Sequence, residues 1–361
     1  MKRYVYYCVP VLIVILFVGL FVGFRVVNRK MRDVEKQAEK QEENQKINVG
    51  DLSKNQLYDI ISRGNINGED REAVYFRLAD MYVEEKKDYA AYNLLMSDSD
   101  ISSKYANEIS QKYGKYNSVV YADDGKKAFY GFYPQNLIED DALLGFIENA
   151  EFEDDTAMVM GIKVARISDG NIYSYYEYAP ISYNVAAGIE GRTALVSEKI
   201  LDEKIFSESV TGVSFEVSDL RKWLNGDLFE IAFKGCDTTP IASIRSKITW
   251  NHLYGANIGS ESVDRISILE AADVKNGNYG MYDETVDVTE SIARRRCRAT
   301  DYAKAKGVYC DEDGFGRYWT RTPSSPSLTM YMIVMPNGEI VDYGYCTNVT
   351  GIGVRFFLEL S

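Results

Sequence analysis

Thr329-Met330-Tyr331-Met332-Ile333-Val334-Met335, Pro336-Asn337-Gly338 and Glu339-Ile340-Val341-Asp342-Tyr343-Gly344-Tyr345 follow one another without interruption. Two runs rich in β-branched and aromatic residues thus flank an Asn-Gly turn. That dipeptide suits the positive φ angles of a tight hairpin. The stretch therefore predicts two antiparallel strands.

Upstream, Val119-Val120-Tyr121, Phe129 to Tyr133, Ala157 to Ile167, Ile172 to Tyr178 and Arg192 to Val196 have the same strand-like character. Asp124-Gly125, Asp169-Gly170-Asn171 and Glu190-Gly191 punctuate them as turns. One amphipathic helix interrupts the series. Ser218 is a plausible N-cap, Leu220, Trp223 and Leu224 share a face, and Gly226 is placed near the stop. The last strand runs from Gly353 to Leu360. Residues 117–361 are thus expected to form a mainly antiparallel α+β domain, long enough to bury a substantial core.

Residues 51–116 read as helices. Ser53 can cap a helix with Leu57, Ile60 and Ile61 on one face, broken by Gly64 and Gly68. Ala73 to Tyr82 has helical spacing, Asp88 opens a third helix and Ser102 a fourth. These four short helices resemble tetratricopeptide-type hairpins, with Leu78-Ala79-Asp80-Met81-Tyr82 the nearest echo; a simple helical spacer packed on its neighbour is the other reading. Residues 25–50 are almost wholly polar and read as a charged linker.

After a three-residue tail, Tyr4 to Phe24 carries no charge. As a helix at about 1.5 Å per residue it reaches roughly 30 Å, the thickness of a bilayer core. No small-residue cleavage site follows it, so a single retained transmembrane helix is expected, with the membrane as its partner. Basic residues flank both ends. A plain positive-inside count slightly favours a cytoplasmic body, whereas a short tail before a large domain is the layout of a signal-anchor. The expectation is a C-terminal body outside the cell. Gly19 and Gly23 form a G-x-x-x-G step, a candidate homodimer contact.

The net charge of −13 over 361 residues makes nucleic acid an unsuitable partner. Tyrosine is abundant, at 28, and histidine occurs once, as His252, which cannot make a metal site by itself; a Ser-His-Asp set would depend entirely on it. The cysteines are Cys8, Cys236, Cys297, Cys310 and Cys346, with no C-x-x-C pair, and nothing in their spacing decides between disulfides and reduced thiols. No nucleotide-loop, dinucleotide-binding or zinc-protease motif is present, and no cofactor is expected.

Several motifs in order resemble domain-of-unknown-function family 6273, an uncharacterised bacterial domain family. They are Tyr130 to Gln135, Ala194 to Asp202, Ser218 to Asn225, Ile266 to Ala271, Ala299 to Lys304, Tyr318 to Pro323 and Gly353-Val354-Arg355. The resemblance spans about Lys126 to the C-terminus. It departs from the family at Tyr318-Trp319, where paired tryptophans are usual, at Phe356-Phe357, and in an expanded Ala157 to Ile172. The family is similar to C-type-lectin-like folds such as the sulfatase-modifying-factor domain, which implies a lectin-like body. Its members resemble anchored or exported proteins of Gram-positive bacteria, often with repeat helices upstream. Trp223, Asn225, Trp319, Arg321, Gly353 and Arg355 carry the motifs and are expected to be structural.

Candidate ligand-binding residues are Arg294, Arg295, Arg296 and Arg298, with Tyr318, Trp319 and Arg321, because guanidinium suits bidentate phosphate contact. Cys297, set among those arginines, is the one thiol with the cations a nucleophile needs. Asp311 and Asp313 are weak candidates for calcium, without the full spacing of a known loop. With no catalytic set assembled, the expected function is a membrane-anchored, non-catalytic binding module for a cell-wall glycan or a surface protein. An enzyme related to sulfatase-modifying factors and a scaffold on the cytoplasmic face are the alternatives.

Overall fold

Helical periodicity gives way to strand alternation where the sequence changes character, and the two halves pack together. The computed structural model describes residues 48–361, apart from 65, 67, 247–248, 252–255, 259–260, 277, 282–286 and 325. The Tyr4–Phe24 span, the Gly19–Gly23 step, the linker before Asn48, Cys8 and His252 lie outside the described residues. Among the described residues no helix is long and apolar enough to cross a membrane.

Ahead of the main unit, Val49–Asp51 forms a single 3-10 turn. From Lys54 onward the described residues form one compact unit. Its first part is four helices: α1 (Lys54–Arg63), α2 (Gly68–Glu84), α3 (Asp88–Ser97) and α4 (Ser99–Tyr113). Val74, Leu78 and Tyr82 recur every four residues and form the buried stripe of α2. Gly68 starts that helix instead of breaking one. The cap of α4 is Asp98, not Ser102: its Oδ1 accepts the backbone N–H groups of Asp100 and Ile101, each at 3.1 Å.

The larger sheet contains β1 (Val120–Tyr121), β2 (Lys127–Leu137), β3 (Thr156–Val159), β4 (Ile162–Asp169), β5 (Ile172–Ala187) and β6 (Thr193–Ser197). Phe356–Leu360 and Ser267–Ile268 complete it, in the order β1-β2-β5-β6, Phe356–Leu360, Ser267–Ile268, with β4 on β5 and β3 on β4. The expected single strand from Ala157 to Ile167 is a hairpin, turned at Met160 and Gly161, which have φ of 50° and 82°. A second sheet runs Ile340–Cys346, Met330–Val334, Tyr318–Pro323, Gly353–Val354, Asp202–Glu203. It contains the predicted hairpin, in which Val334 faces Ile340 across the Pro336–Gly338 turn. Among the described residues the strand pairings are antiparallel except for two short parallel contacts, Tyr318 on Gly353 and Ile200 on Ala299, so the fold is α+β with mostly antiparallel sheets.

The helix after Ser218 starts as anticipated, with the serine Oγ accepting the Arg221 N–H at 3.2 Å. It does not stop at Gly226. It widens into a π turn over Leu224–Leu228 and continues as Phe229–Ala232. The main core lies between this helix and the two sheets, around Tyr183, Phe206, Leu224, Trp319, Ile333 and Phe356.

Candidate functional site

Where the helices meet the larger sheet, two cavities share one waist. The first, about 400 Å³, has one wall from the helical part: Tyr89, Tyr92 and Asn93 of α3, then Tyr113 at the end of α4, with Tyr116 and Asn117 just beyond it. Its other wall comes from the sheet, through Phe132, Met158, Lys163 and Tyr178, and from Ile231 and Lys234. The second cavity, about 800 Å³, continues past Lys163, Tyr178, Ile231 and Lys234 towards Tyr133, Arg166, Arg265 and Tyr302. A concave, mostly apolar surface with a few convergent polar groups is the usual form of a ligand site.

Side-chain packing makes these walls firm. The rings of Tyr89 and Phe132 lie 5.8 Å apart, and Tyr116 sits 6.4 Å from each of them. Tyr133 and Tyr176 meet Tyr302 edge-on at 5.9 and 5.5 Å. Below the second cavity the Tyr133 hydroxyl donates to the buried carboxylate of Asp202. Behind the first, the Tyr89 hydroxyl donates to Glu177, which also pairs with Lys87 at 3.0 Å.

The polar groups facing the groove are not used up in this way. Among the described residues, the side chains of Tyr92, Asn93, Asn117, Lys163 and Lys234 make no hydrogen bond or ion pair. Lys163 is half-buried, with its ammonium 4.1 Å from the centre of the Tyr178 ring. Burial pulls its pKa below the ordinary lysine value, and the nearby charge of Lys234 pulls it the same way. The Tyr178 hydroxyl is pushed up to about 12, first by burial and then by Asp202.

The residues anticipated from sequence are elsewhere, and the structure does not gather them. Arg294 is exposed and pairs with Glu290 along its helix at 2.9 Å. The carbonyl of Arg295 accepts the Tyr318 hydroxyl at 2.8 Å. Arg296 reaches Asp311 at 3.0 Å and lies over Phe315, whose other neighbour is Arg298. Asp311 and Asp313 therefore face a guanidinium, and Asp311 Oδ1 also accepts two backbone N–H groups. Among the described residues no three His, Cys, Asp or Glu side chains are grouped to hold a metal.

Tyr318 and Trp319 are 1 % and 0 % exposed, so neither offers a ring to a ligand. The Trp319 indole donates to the Lys204 carbonyl at 2.8 Å, and Arg321 is buried against Glu270 at 2.7 Å. Cys297 is buried as well, and its thiol is pushed up by burial, with Arg355 opposing. That is the reverse of an activated nucleophile. Trp223 packs half-buried against the core, while Asn225 accepts the N–H groups of Arg265 and Ile266 and donates to the Ile266 carbonyl. At Gly353 a Cβ would come within 2.3 Å of Ile200, so only glycine fits. Arg355 lies where the chain passes from one sheet to the other, its Nε donating to the Ser197 carbonyl at 3.1 Å.

The groove is not visible in the sequence because its walls come from separate segments spread between Tyr89 and Gly235. The only local trace was the tyrosine content. Neither a curated protein nor a solved structure matches the chain. The recognised segment is narrower than the span expected from Lys126 onward and begins just before β6, leaving α1–α4 and β1–β5 outside it: residues 190–360 match the family described as "Domain of unknown function (DUF6273)".

Proposed function

We propose that this chain is a membrane-anchored, non-catalytic binding module, with its body outside the cell, that takes a cell-wall glycan in the groove between the helices and the larger sheet. The observation that carries this reading is the groove's lining. Aromatic rings offer flat apolar faces to a sugar ring, and the unpartnered Tyr92, Asn93 and Asn117 side chains offer hydrogen bonds to its hydroxyls. The uncharged Tyr4–Phe24 run supports the anchor, and the order of motifs supports a lectin-like body. The buried, unactivated Cys297 weighs against a thiol enzyme of the sulfatase-modifying type.

Equilibrium dialysis of the full-length protein in non-ionic detergent against wall-derived oligosaccharides tests the reading. Saturable binding that is weakened in Tyr92→Ala or Asn93→Ala is expected. No binding across the panel would remove the glycan reading. Protease treatment of intact cells tests the location separately: loss of the body without lysis is expected, and protection until lysis would favour the scaffold on the cytoplasmic face.

A further inference from the structure

We infer that the ligand of this groove is anionic, and that Lys163, at the waist joining the two cavities, receives its phosphate or carboxylate. The inference rests on the groove reading above and adds the chemical class of the ligand.

Lysines on the neighbouring elements have carboxylate partners inside the protein. Lys87 pairs with Glu177 at 3.0 Å, Lys115 with Asp88 at 2.9 Å and Lys127 with Glu198 at 2.6 Å. In a chain of net charge −13 such partners are plentiful. Lys163 has none among the described residues, although β4 draws it partly out of water. The charge of Lys234, which lines both cavities beside it, adds repulsion instead of compensation.

The Tyr178 ring supplies some attraction for the ammonium, but it brings no counter-charge. Carboxylates do line the second cavity at Asp154, Asp155 and Glu230, yet none forms an ion pair with Lys163, and Asp155 is engaged by Arg166 at 2.9 Å. A counter-ion arriving with the ligand would complete the site. An ammonium is a compact charge with three donors, suited to a single phosphate or carboxylate oxygen. Because Lys163 lines a cavity on either side, there is room for a ligand held there to extend from that group. A saccharide or polyol chain with an acidic group in its repeat fits this shape.

Four probes separate the possibilities in calorimetric titrations of the full-length protein in non-ionic detergent. They are a neutral N-acetylglucosamine oligomer, poly(glycerol phosphate), polygalacturonate and inorganic polyphosphate. At least one of the phosphate or carboxylate polymers is expected to bind about tenfold or more tightly than the neutral oligomer, and to weaken with salt. Which of the two binds identifies the acidic group. Lys163→Met is expected to lose about tenfold in affinity, the worth of a charge-assisted hydrogen bond, without lowering the unfolding temperature. Lys127→Met, a surface control, is expected to change little. Equal binding of neutral and acidic polymers, unchanged in Lys163→Met, would overturn the inference and leave the glycan module standing. Polyphosphate binding that needs Lys163, with no saccharide or polyol bound, would keep the anion site and remove the glycan reading. No binding of any probe would overturn both.

Discussion

The Tyr82 hydroxyl donates to the main-chain carbonyl of Met160 at 2.7 Å, across 78 residues of sequence, and so ties α2 to the turn between β3 and β4. The adjacent Gly161 completes the seat. A Cβ there would lie 2.4 Å from the Ala90 carbonyl oxygen and 2.7 Å from the Leu94 Cβ, so the turn rests directly on α3. The same hairpin carries Met158 and Lys163 into the groove. The helices are therefore a wall of the groove as well as packing partners of the sheet.

Gly161→Ala is expected to be destabilising for two separable reasons. At φ +82° an L-residue costs about 1–2 kcal/mol, and forcing a methyl group against α3 adds about 1–3 kcal/mol. Gly125→Ala is the control, since Gly125 has φ +65° with nothing within 4 Å of the added carbon. Thermal unfolding of both variants decides the matter. A larger fall for Gly161→Ala supports the seat, and equal falls would leave only the backbone effect.

Asp202 gives a pH-dependent prediction. Burial raises its carboxyl above the ordinary carboxylate range, with the Tyr133 hydroxyl and the charge of Lys306 pulling the other way. A carboxyl whose folded pKa exceeds its unfolded value of about 3.9 contributes its stability below that value. The contribution is lost as pH rises through the folded pKa. Asp202→Asn should flatten this part of the stability–pH curve. Its Oδ1 can still accept the Glu203 N–H, and the Tyr133 hydroxyl can reverse its role and accept from the amide. At neutral pH that variant is expected to match or exceed the parent. Asp202→Ala should instead lose about 1–3 kcal/mol, because the buried phenol is left without a partner. Urea titrations from pH 4 to 8 distinguish the two, and parallel curves for Asp202→Asn and the parent would refute the burial argument.

Parts of this architecture were legible in sequence because their causes are local. The Pro336-Asn337-Gly338 turn and the Ser218 cap depend on backbone chemistry within a few residues, and both formed where expected. Met160 is not a turn former, and its positive φ accompanies contacts to Tyr82, Ala90 and Leu94 far back in the chain. Hence Ala157 to Ile167 read as one strand. Gly353 to Leu360 also read as one strand, since side-chain alternation does not encode which sheet a residue joins. The groove was hidden for a related reason. Lys163 sits in an ordinary β pattern between Ile162 and Val164, and its lack of a partner is a fact of tertiary structure. Conversely, the arginines that stood out in sequence stand beside carboxylates and rings once folded.

Arg355 should tolerate no conservative replacement. It is 3 % exposed, and besides the Ser197 carbonyl it reaches the Tyr318 hydroxyl at 3.2 Å and the Arg295 carbonyl at 3.5 Å. A lysine has the charge but not the planar fork that meets these groups from one position. Arg355→Lys is expected to cost about 3 kcal/mol or more, as for breaking a buried charged network. Chemical denaturation measures this, and a loss below about 1 kcal/mol, the usual worth of one exposed pair, would show that the switch between sheets does not depend on the guanidinium.

Thiol chemistry supplies the last test, and it bears on function. Among the described cysteines, all free, Cys346 is exposed, Cys236 and Cys310 are half-buried, and Cys297 is 1 % exposed. Burial raises the Cys236 thiol to about 11 and also raises Cys310 and Cys297 above the ordinary value. Only a thiolate alkylates quickly, so folded protein treated with iodoacetamide near neutral pH should label first at Cys346. Cys236 and Cys310 should follow slowly, and Cys297 should label only on unfolding. Peptide mass spectrometry over a time course reads the order directly. Rapid labelling of Cys297 in the folded protein would mean an accessible, activated thiol amid Arg295, Arg296 and Arg298, and would bring the enzyme reading back ahead of the binding module.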